Sequence, residues 1–104
     1  MYNIVDIINT LNRKIKSVYK NFNGVYLYGS FANKTNTENS DIDVVALFEN
    51  ELNREERIKL WSLISGLEAE YDVFLDLHPM SAKELEKNPI YYNQVVNKGV
   101  FYGV

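Results

Sequence analysis

Apolar residues recur at steps of three and four positions along the first 22 residues of the chain. They are Ile4, Ile7, Ile8, Leu11, Ile15, Val18, Tyr19 and Phe22, with basic residues between them. This period places the apolar side chains on one face of a helix, so we predict an amphipathic helix that covers one side of a core. Asn23-Gly24 is predicted to end it, because glycine is favoured just past a helix C-terminus.

Two nearly continuous apolar runs follow, and they predict two strands. The first reaches Tyr28 and stops at Gly29-Ser30, and the second covers approximately Ile42 to Phe48. Strands that lack an alternating polar face are typical of positions covered on both sides of a sheet. A polar loop separates the two runs, so the predicted order is strand, turn, loop, strand.

The next segment carries the signature of a helix start. Asn53 with Glu56 three residues later forms an N-cap with a capping-box partner, which predicts a helix to about Glu70. Its buried stripe is predicted to contain Ile58, Trp61, Ile64 and Leu67. Trp61 is therefore expected in the core.

A third strand is predicted from Asp72 to His78, with Pro79 ending it. Successive side chains of a strand alternate between its two faces, so two sets of residues are expected there. Val73, Leu75 and Leu77 form one set, and Asp72, Phe74, Asp76 and His78 form the other. The third strand is therefore predicted to carry a carboxylate away from the core.

The last quarter of the chain predicts short elements. Ser81 with Glu84 forms a second capping box, and Met80 with Leu85 is placed as its hydrophobic staple. Asn88-Pro89 is predicted to break that helix and to start another that runs to about Lys98. The apolar residues Val100, Phe101 and Tyr102 after Gly99 are predicted to form a short edge strand.

The predicted order is helix, strand, strand, helix, strand, two helices and a short strand. This order indicates an α+β (α/β two-layer) fold with a small mixed β-sheet and helices packed on it. A chain of 104 residues is long enough for one core but not for an additional substrate-binding lobe. Residues 1–104 are therefore expected to form a single domain.

Composition and charge narrow the class of protein. No apolar run approaches the roughly 20 residues that a membrane helix needs, so no membrane association is expected. The absence of cysteine excludes a thiolate metal site and fits the expected cytoplasmic location. The net charge of −3 gives no bulk attraction for nucleic acid.

The charge is unevenly distributed along the sequence. Residues 1–35 carry five basic and one acidic side chain (+4), whereas residues 36–104 carry six basic and thirteen acidic ones (−7). The basic part could face a triphosphate or an acidic partner, although a solvated helix face accounts for most of its lysines.

Candidate chemistry lies where the two predicted central strands meet the polar loop. On a strand, Asp41 and Asp43 point to the same face, roughly 6–7 Å apart along the chain. Gly29-Ser30 lies at the end of the preceding strand, where a glycine lets the backbone turn sharply and approach a phosphate closely. Two carboxylates beside such a turn form a site for a divalent metal and phosphate.

This arrangement resembles a known family. The stretch GSFANKTNTENSDIDV is similar to the pattern GS-x3-G-x5-SD-x-D of the nucleotidyltransferase superfamily to which DNA polymerase beta belongs. Within that superfamily the chain resembles the minimal nucleotidyltransferases, many of which are antitoxins paired with a HEPN-domain toxin. The resemblance covers nearly the whole chain, including the later strand that carries Asp76.

The resemblance implies a nucleotidyltransferase that uses two Mg²⁺ ions. Gly29 and Ser30 would bind the phosphates of a nucleoside triphosphate, and Asp41, Asp43 and Asp76 would be the catalytic metal ligands. Asp76 is preferred to Asp72 as the third carboxylate because it lies in mid-strand, whereas Asp72 would start the strand. By resemblance, AMP would pass from ATP to a hydroxyl of a HEPN toxin, which is the activity of a protein adenylyltransferase.

Several alternatives stay open at this point. The rival function is an inactive or catalytically weak antitoxin of the same fold that neutralises its partner by contact. Transfer to a small molecule is disfavoured, because such relatives carry an extra helical domain. His78 is expected to be a surface or partly buried residue, and Tyr91, Tyr92, Phe101 and Tyr102 are expected in packing or an interface.

The sequence leaves other questions undecided. Lys34 occupies the family's usual glycine position, where it could either contact the triphosphate or strain the loop. The acceptor, the base specificity and the choice between a homo- and a hetero-oligomer are not determined by the sequence.

Overall fold

The computed structural model describes residues 3–32 and 41–104. Its helices are α1 (Ile4–Val18), α2 (Arg54–Tyr71), α3 (Ala82–Glu86), α4 (Pro89–Tyr92) and a π-helical turn (Asn93–Asn97). Its strands are β1 (Phe22–Tyr28), β2 (Ile42–Phe48), β3 (Leu75–Ser81) and β4 (Val100–Gly103). None of the helices in these two ranges combines the length and apolar character that crossing a membrane requires.

The four strands form one mixed sheet in the order β3-β2-β1-β4. β1 pairs antiparallel with β2 and with β4, whereas β2 and β3 run parallel. Parallel neighbours need a crossover connection, and α2 supplies it between β2 and β3. The element order and the small mixed sheet predicted from the sequence are therefore confirmed.

Each face of the sheet buries its own apolar cluster. The larger cluster joins α1 and α2 to one face of the sheet, and its sheet residues include Val25, Leu27, Val44, Ala46 and Leu77. The smaller cluster lies on the opposite face, where Tyr28 and Val45 pack against Leu85 and Val95. β1 and β2 are thus covered on both faces, as their continuous apolar sequences predict.

The predicted end of the first helix is wrong. α1 ends at Val18, Tyr19 already has extended backbone angles, and Phe22 begins β1. The apolar period continued past the helix because Tyr19 and Phe22 are buried in the same core as α1. Gly24 lies inside β1, at an irregularity in the ladder with β2 and with φ +141°.

The predicted bounds of the third strand are also wrong. Asp72 is the C-cap of α2 with φ +53°, in the left-handed region, and β3 begins only at Leu75. Pro79 lies within β3 instead of ending it. A proline is tolerated there because β3 is an edge strand, and an edge strand can lack one backbone donor.

The buried stripe of α2 is displaced from the predicted one. Leu60, Ile64 and Leu67 are buried, whereas Ile58 is 58% exposed and Trp61 is 45% exposed. At about 100° per residue, Trp61 lies about 100° around the helix from Leu60 and Ile58 about 160° from it. The expectation that Trp61 is a core residue is therefore wrong.

Both predicted capping boxes are confirmed. At the start of α2, the Glu56 N–H donates to Asn53 Oδ1 at 2.8 Å and the Asn53 N–H donates to Glu56 Oε1 at 2.9 Å. At α3, Ser81 and Glu84 make the same reciprocal pair at 3.3 and 3.0 Å. The second box begins α3 directly at the end of β3, which brings α3 and α4 back over the sheet.

Candidate active site

Three side chains form a row across one end of the sheet. Tyr28 is the ladder partner of Asp43 in the antiparallel pair, and Asp43 is the ladder partner of Asp76 in the parallel pair. Directly paired residues point to the same face, so all three side chains lie on the face covered in part by α4. The fold thus brings together two of the three predicted carboxylates.

Gly29 fits against the first of these carboxylates. It follows Tyr28 with φ +73°, a conformation that L side chains rarely adopt. A Cβ built at this position would collide with Asp43 Oδ2 and lie 3.2 Å from Asp43 Cγ. The turn and the close approach to Asp43 therefore both require glycine.

The environment of Asp43 disfavours its negative charge. Burial raises the pKa of the Asp43 carboxyl most, followed by the charge of Asp76, a hydrogen bond between the two carboxyl groups and the charge of Asp41. The nearby His78 lowers the pKa of Asp43, by less than these effects raise it. A bound cation would remove the repulsion between these carboxylates, so Asp43 and Asp76 fit a divalent metal.

His78 lies beside the third candidate ligand. Its Nε2 is 3.1 Å from Asp76 Oδ1, and both side chains are about half exposed (50% and 51%). This exposure agrees with the expectation that His78 is a surface or partly buried residue. Its contact with Asp76 makes it a neighbour of the candidate metal site.

Asp41 and Ser30 lie at the margin of this row. Asp41 is exposed and precedes β2, and its charge acts on Asp43 without its side chain joining the Asp43–Asp76 pair. In the part of the chain that the structure describes, no three acidic or histidine side chains are close enough to hold a metal ion. Ser30 is partly buried in the turn after Gly29, and Lys34 lies outside the described residues.

A pair of tyrosines completes the site, and sequence reasoning missed it. The hydroxyl groups of Tyr28 and Tyr91 are 2.8 Å apart, and the two rings meet edge to face with centroids 5.7 Å apart. Burial raises the pKa of both hydroxyls, and the charges of Asp43 and Asp76 raise them further. The pair therefore joins β1 to α4, and Tyr91 packs as expected.

The paired carboxylates have the chemistry of a divalent-cation site. Asp43 and Asp76 offer hard oxygen ligands, and the glycine turn at Gly29 lies directly against Asp43. These are the components of metal-assisted phosphoryl chemistry.

Comparison with solved structures gives similar folds over nearly the whole chain. A toxin–antitoxin complex with AMP-PNP contains a chain that is 28% identical, with a TM-score of 0.68, covering 95% of this chain and 73% of that one. A chain in a mutant form of the MntA toxin–antitoxin pair is 26% identical, with a TM-score of 0.65 and coverages of 98% and 72%.

A third complex has the same fold at lower identity. It contains a tri-AMPylated Shewanella oneidensis HEPN toxin with an MNT antitoxin, at 22% identity and a TM-score of 0.51, covering 92% of this chain and 72% of that one. Among the curated proteins, none matches this chain.

The family comparison covers the strands that carry the candidate site. The model described as "Polymerase beta, Nucleotidyltransferase" matches residues 6–99, which include most of α1, the glycine turn, β2 and β3. That range exceeds half of the 104-residue chain. The chain belongs to the polymerase beta nucleotidyltransferase family.

Proposed function

We propose that this protein is a Mg²⁺-dependent nucleotidyltransferase that transfers AMP from ATP to a hydroxyl of a HEPN-domain toxin, and so acts as its antitoxin. The main support for the proposal is that Asp43 and Asp76 are paired across β2 and β3 beside the glycine turn at Gly29. Nucleotide transfer requires a metal-binding carboxylate set next to a phosphate site, and two paired carboxylates beside a glycine turn support this reaction.

The site residues predicted from the sequence have separate roles in this reaction. Gly29 and Ser30 bind the phosphates through the backbone of the turn and the serine hydroxyl. Asp41, Asp43 and Asp76 would hold two Mg²⁺ ions, which would supply charge stabilisation to the attacking and leaving oxygens. Asp76, whose Oδ1 lies 3.1 Å from His78 Nε2, would accept the proton of the acceptor hydroxyl.

The acceptor is inferred from similar complexes and from the openness of the site. The structure at 28% identity is a toxin–antitoxin complex with AMP-PNP, and another neighbour contains a tri-AMPylated HEPN toxin with an MNT antitoxin. Asp76 and His78 lie half exposed at one end of the sheet, so a second macromolecule can approach them. ATP and Mg²⁺ are available to such a pair in the cytoplasm.

A transfer assay tests the proposal. The chain is co-expressed with HEPN-domain proteins, and complexes that form are incubated with Mg²⁺ and ATP labelled on the α-phosphate. Label on the HEPN protein, absent in EDTA and absent with ATP labelled on the γ-phosphate, is expected. A stable complex that never acquires label would favour the rival function, an antitoxin that acts by contact.

A further inference from the structure

A groove runs along the outer edge of β3, next to the candidate active site. Its volume is about 550 Å³, within the range of pockets that bind specific ligands. Its lining includes Trp61 of α2, Tyr91 of α4, and Pro79 and Met80 of β3. His78 lies in the groove and contacts Asp76, so the groove opens onto the carboxylates.

The position of the groove indicates which of the two substrates it would contact. Gly29, where the phosphates bind in the proposed function, follows β1, and the groove follows the edge of β3 with β2 between them. At the usual spacing of neighbouring strands, β1 and β3 lie roughly 9–10 Å apart, and the groove lies beyond β3. Asp76 lies between β2 and the groove, so the groove lies on the side from which an acceptor would reach the metal site.

The chemistry of the groove does not suit a polyanion. The Glu84 carboxylate lines the groove and Asp76 contacts its His78, so both would repel a triphosphate or a nucleic acid. Arg57 also lines the groove, but its guanidinium already pairs with Glu51 at 3.3 Å. Trp61 is 45% exposed there, although it is a large apolar side chain. Exposed aromatic side chains of this kind anchor protein interfaces, where they are buried by a partner.

We propose that this groove binds an extended segment of the acceptor protein, which lays an apolar side chain against Trp61 and brings its hydroxyl to Asp76. The inference rests on the proposed function and adds the surface that selects the acceptor. Within the described residues the outer edge of β3 pairs with no strand, so an extended segment can lie along it. Pro79 offers no backbone N–H, so the segment is short and held mainly by side chains.

The segment delivers the acceptor for a balanced transfer. The acceptor hydroxyl oxygen forms a bond to the α-phosphorus of ATP, and the bond from that phosphorus to the bridging oxygen of the β-phosphate breaks. Pyrophosphate leaves with the bonding electron pair, and the hydroxyl proton passes to Asp76. The groove takes no part in these steps except to position the hydroxyl.

Trp61 provides a direct probe of the groove, because it is the only tryptophan of the chain. The first experiment follows its fluorescence while two compounds are added separately. One is the HEPN-domain protein that forms a complex with the chain, in a variant without tryptophan, and the other is Mg²⁺ with α,β-methylene-ATP, which cannot transfer AMP. We expect the HEPN protein to shift the emission to shorter wavelength and the nucleotide to leave it unchanged.

The second experiment measures steady-state transfer for wild type, Trp61→Ala, Trp61→Phe and Val18→Ala. Val18 is a matched control because it is 46% exposed on α1 and does not line the groove. Trp61→Ala is expected to raise the KM for the HEPN protein at least about tenfold, with the KM for ATP unchanged. Trp61→Phe should restore part of the loss, and Val18→Ala should match wild type.

The outcomes separate this inference from the proposed function. An emission shift with the HEPN protein, but no transfer by wild type, would support docking in the groove and contradict the proposed transferase activity. An emission shift with nucleotide alone, or a raised KM for ATP in Trp61→Ala, would mean that the groove holds the nucleotide instead. If the complex forms without a change at Trp61, or if no HEPN-domain protein forms a complex, the proposed occupant of the groove is wrong.

Discussion

The backbone of Gly29 packs directly against the carboxylate of Asp43, and the contact leaves no space for a Cβ. Gly29 also has φ +73°, which adds backbone strain to any replacement. We predict that Gly29→Ala destabilises the fold by about 1–3 kcal/mol and displaces Asp43 from Asp76. Urea unfolding measures the first effect, and the transfer assay under folding conditions measures the second.

Gly66 is the matched control for that substitution. It lies in the middle of α2, and a Cβ built there meets nothing within 4 Å. Gly66→Ala is therefore expected to stabilise the protein by about 0.5–1 kcal/mol and to leave transfer unchanged. Equal stability changes in the two variants would contradict the special geometry at Gly29.

The carboxylates are expected to be needed for transfer. Asp41→Asn, Asp43→Asn and Asp76→Asn should each lower the rate at least ~10²-fold, because each removes a proposed metal ligand. Asp72→Asn is the control, since Asp72 is the C-cap of α2 in a left-handed conformation that asparagine also adopts. Near-wild-type transfer by any of the three variants at saturating Mg²⁺ would remove that residue from the site.

The stability of the metal-free protein should depend on pH through Asp43. Its pKa in the folded state is raised above the ordinary value of 3.8 by burial and by the charge of Asp76. Folding therefore favours the protonated form, and the stability contributed by Asp43 is full below pH 3.8 and falls as the pH rises through the folded-state pKa. In EDTA, Asp43→Asn should be more stable than wild type at pH 7.

Thermal unfolding in EDTA from about pH 3.5 to 7 tests this dependence. The difference in Tm between Asp43→Asn and wild type should shrink as the pH falls, since both then carry a neutral side chain. Mg²⁺ should raise the Tm of wild type more than that of the variant, because it stabilises the ionised carboxylates. A variant less stable than wild type at pH 7 in EDTA would mean that Asp43 is a structural residue.

Features with a local cause were predictable from the sequence. The two capping boxes depend on side chains three residues apart, and both are present. The alternation along β3 predicted that Asp76 and His78 share a face, because the period of a strand survives an error in its bounds. The apolar runs predicted β2 within the bounds that the structure has.

Features decided by tertiary packing were not predictable in the same way. Tyr19 and Phe22 continue the apolar period of α1 because they enter the same core, so the period could not mark the helix end. Trp61 lies at the margin of the buried stripe, where periodicity does not distinguish core from surface. The pairing of Asp43 with Asp76 required the parallel register of β2 and β3, which no short stretch of sequence encodes.

The hydrogen bond between Tyr28 and Tyr91 joins residues 63 positions apart, so no local pattern in the chain signals it. We predict that Tyr28→Phe and Tyr91→Phe each cost about 0.5–1.5 kcal/mol of stability, because each removes the hydroxyl pair while keeping the ring packing. The double variant should cost less than the sum of the two single variants, because the second substitution has no bond left to break.

A double-mutant cycle in urea measures this coupling. Tyr92→Phe is the control, since Tyr92 follows Tyr91 in α4 but Tyr91 is the residue that bonds to Tyr28. If the bond also fastens α4 over the carboxylates, both single variants should lower transfer at saturating ATP and acceptor, without a change in oligomeric state. Strictly additive stability losses would show that the two hydroxyls act independently, and unchanged transfer would limit the pair to a structural role.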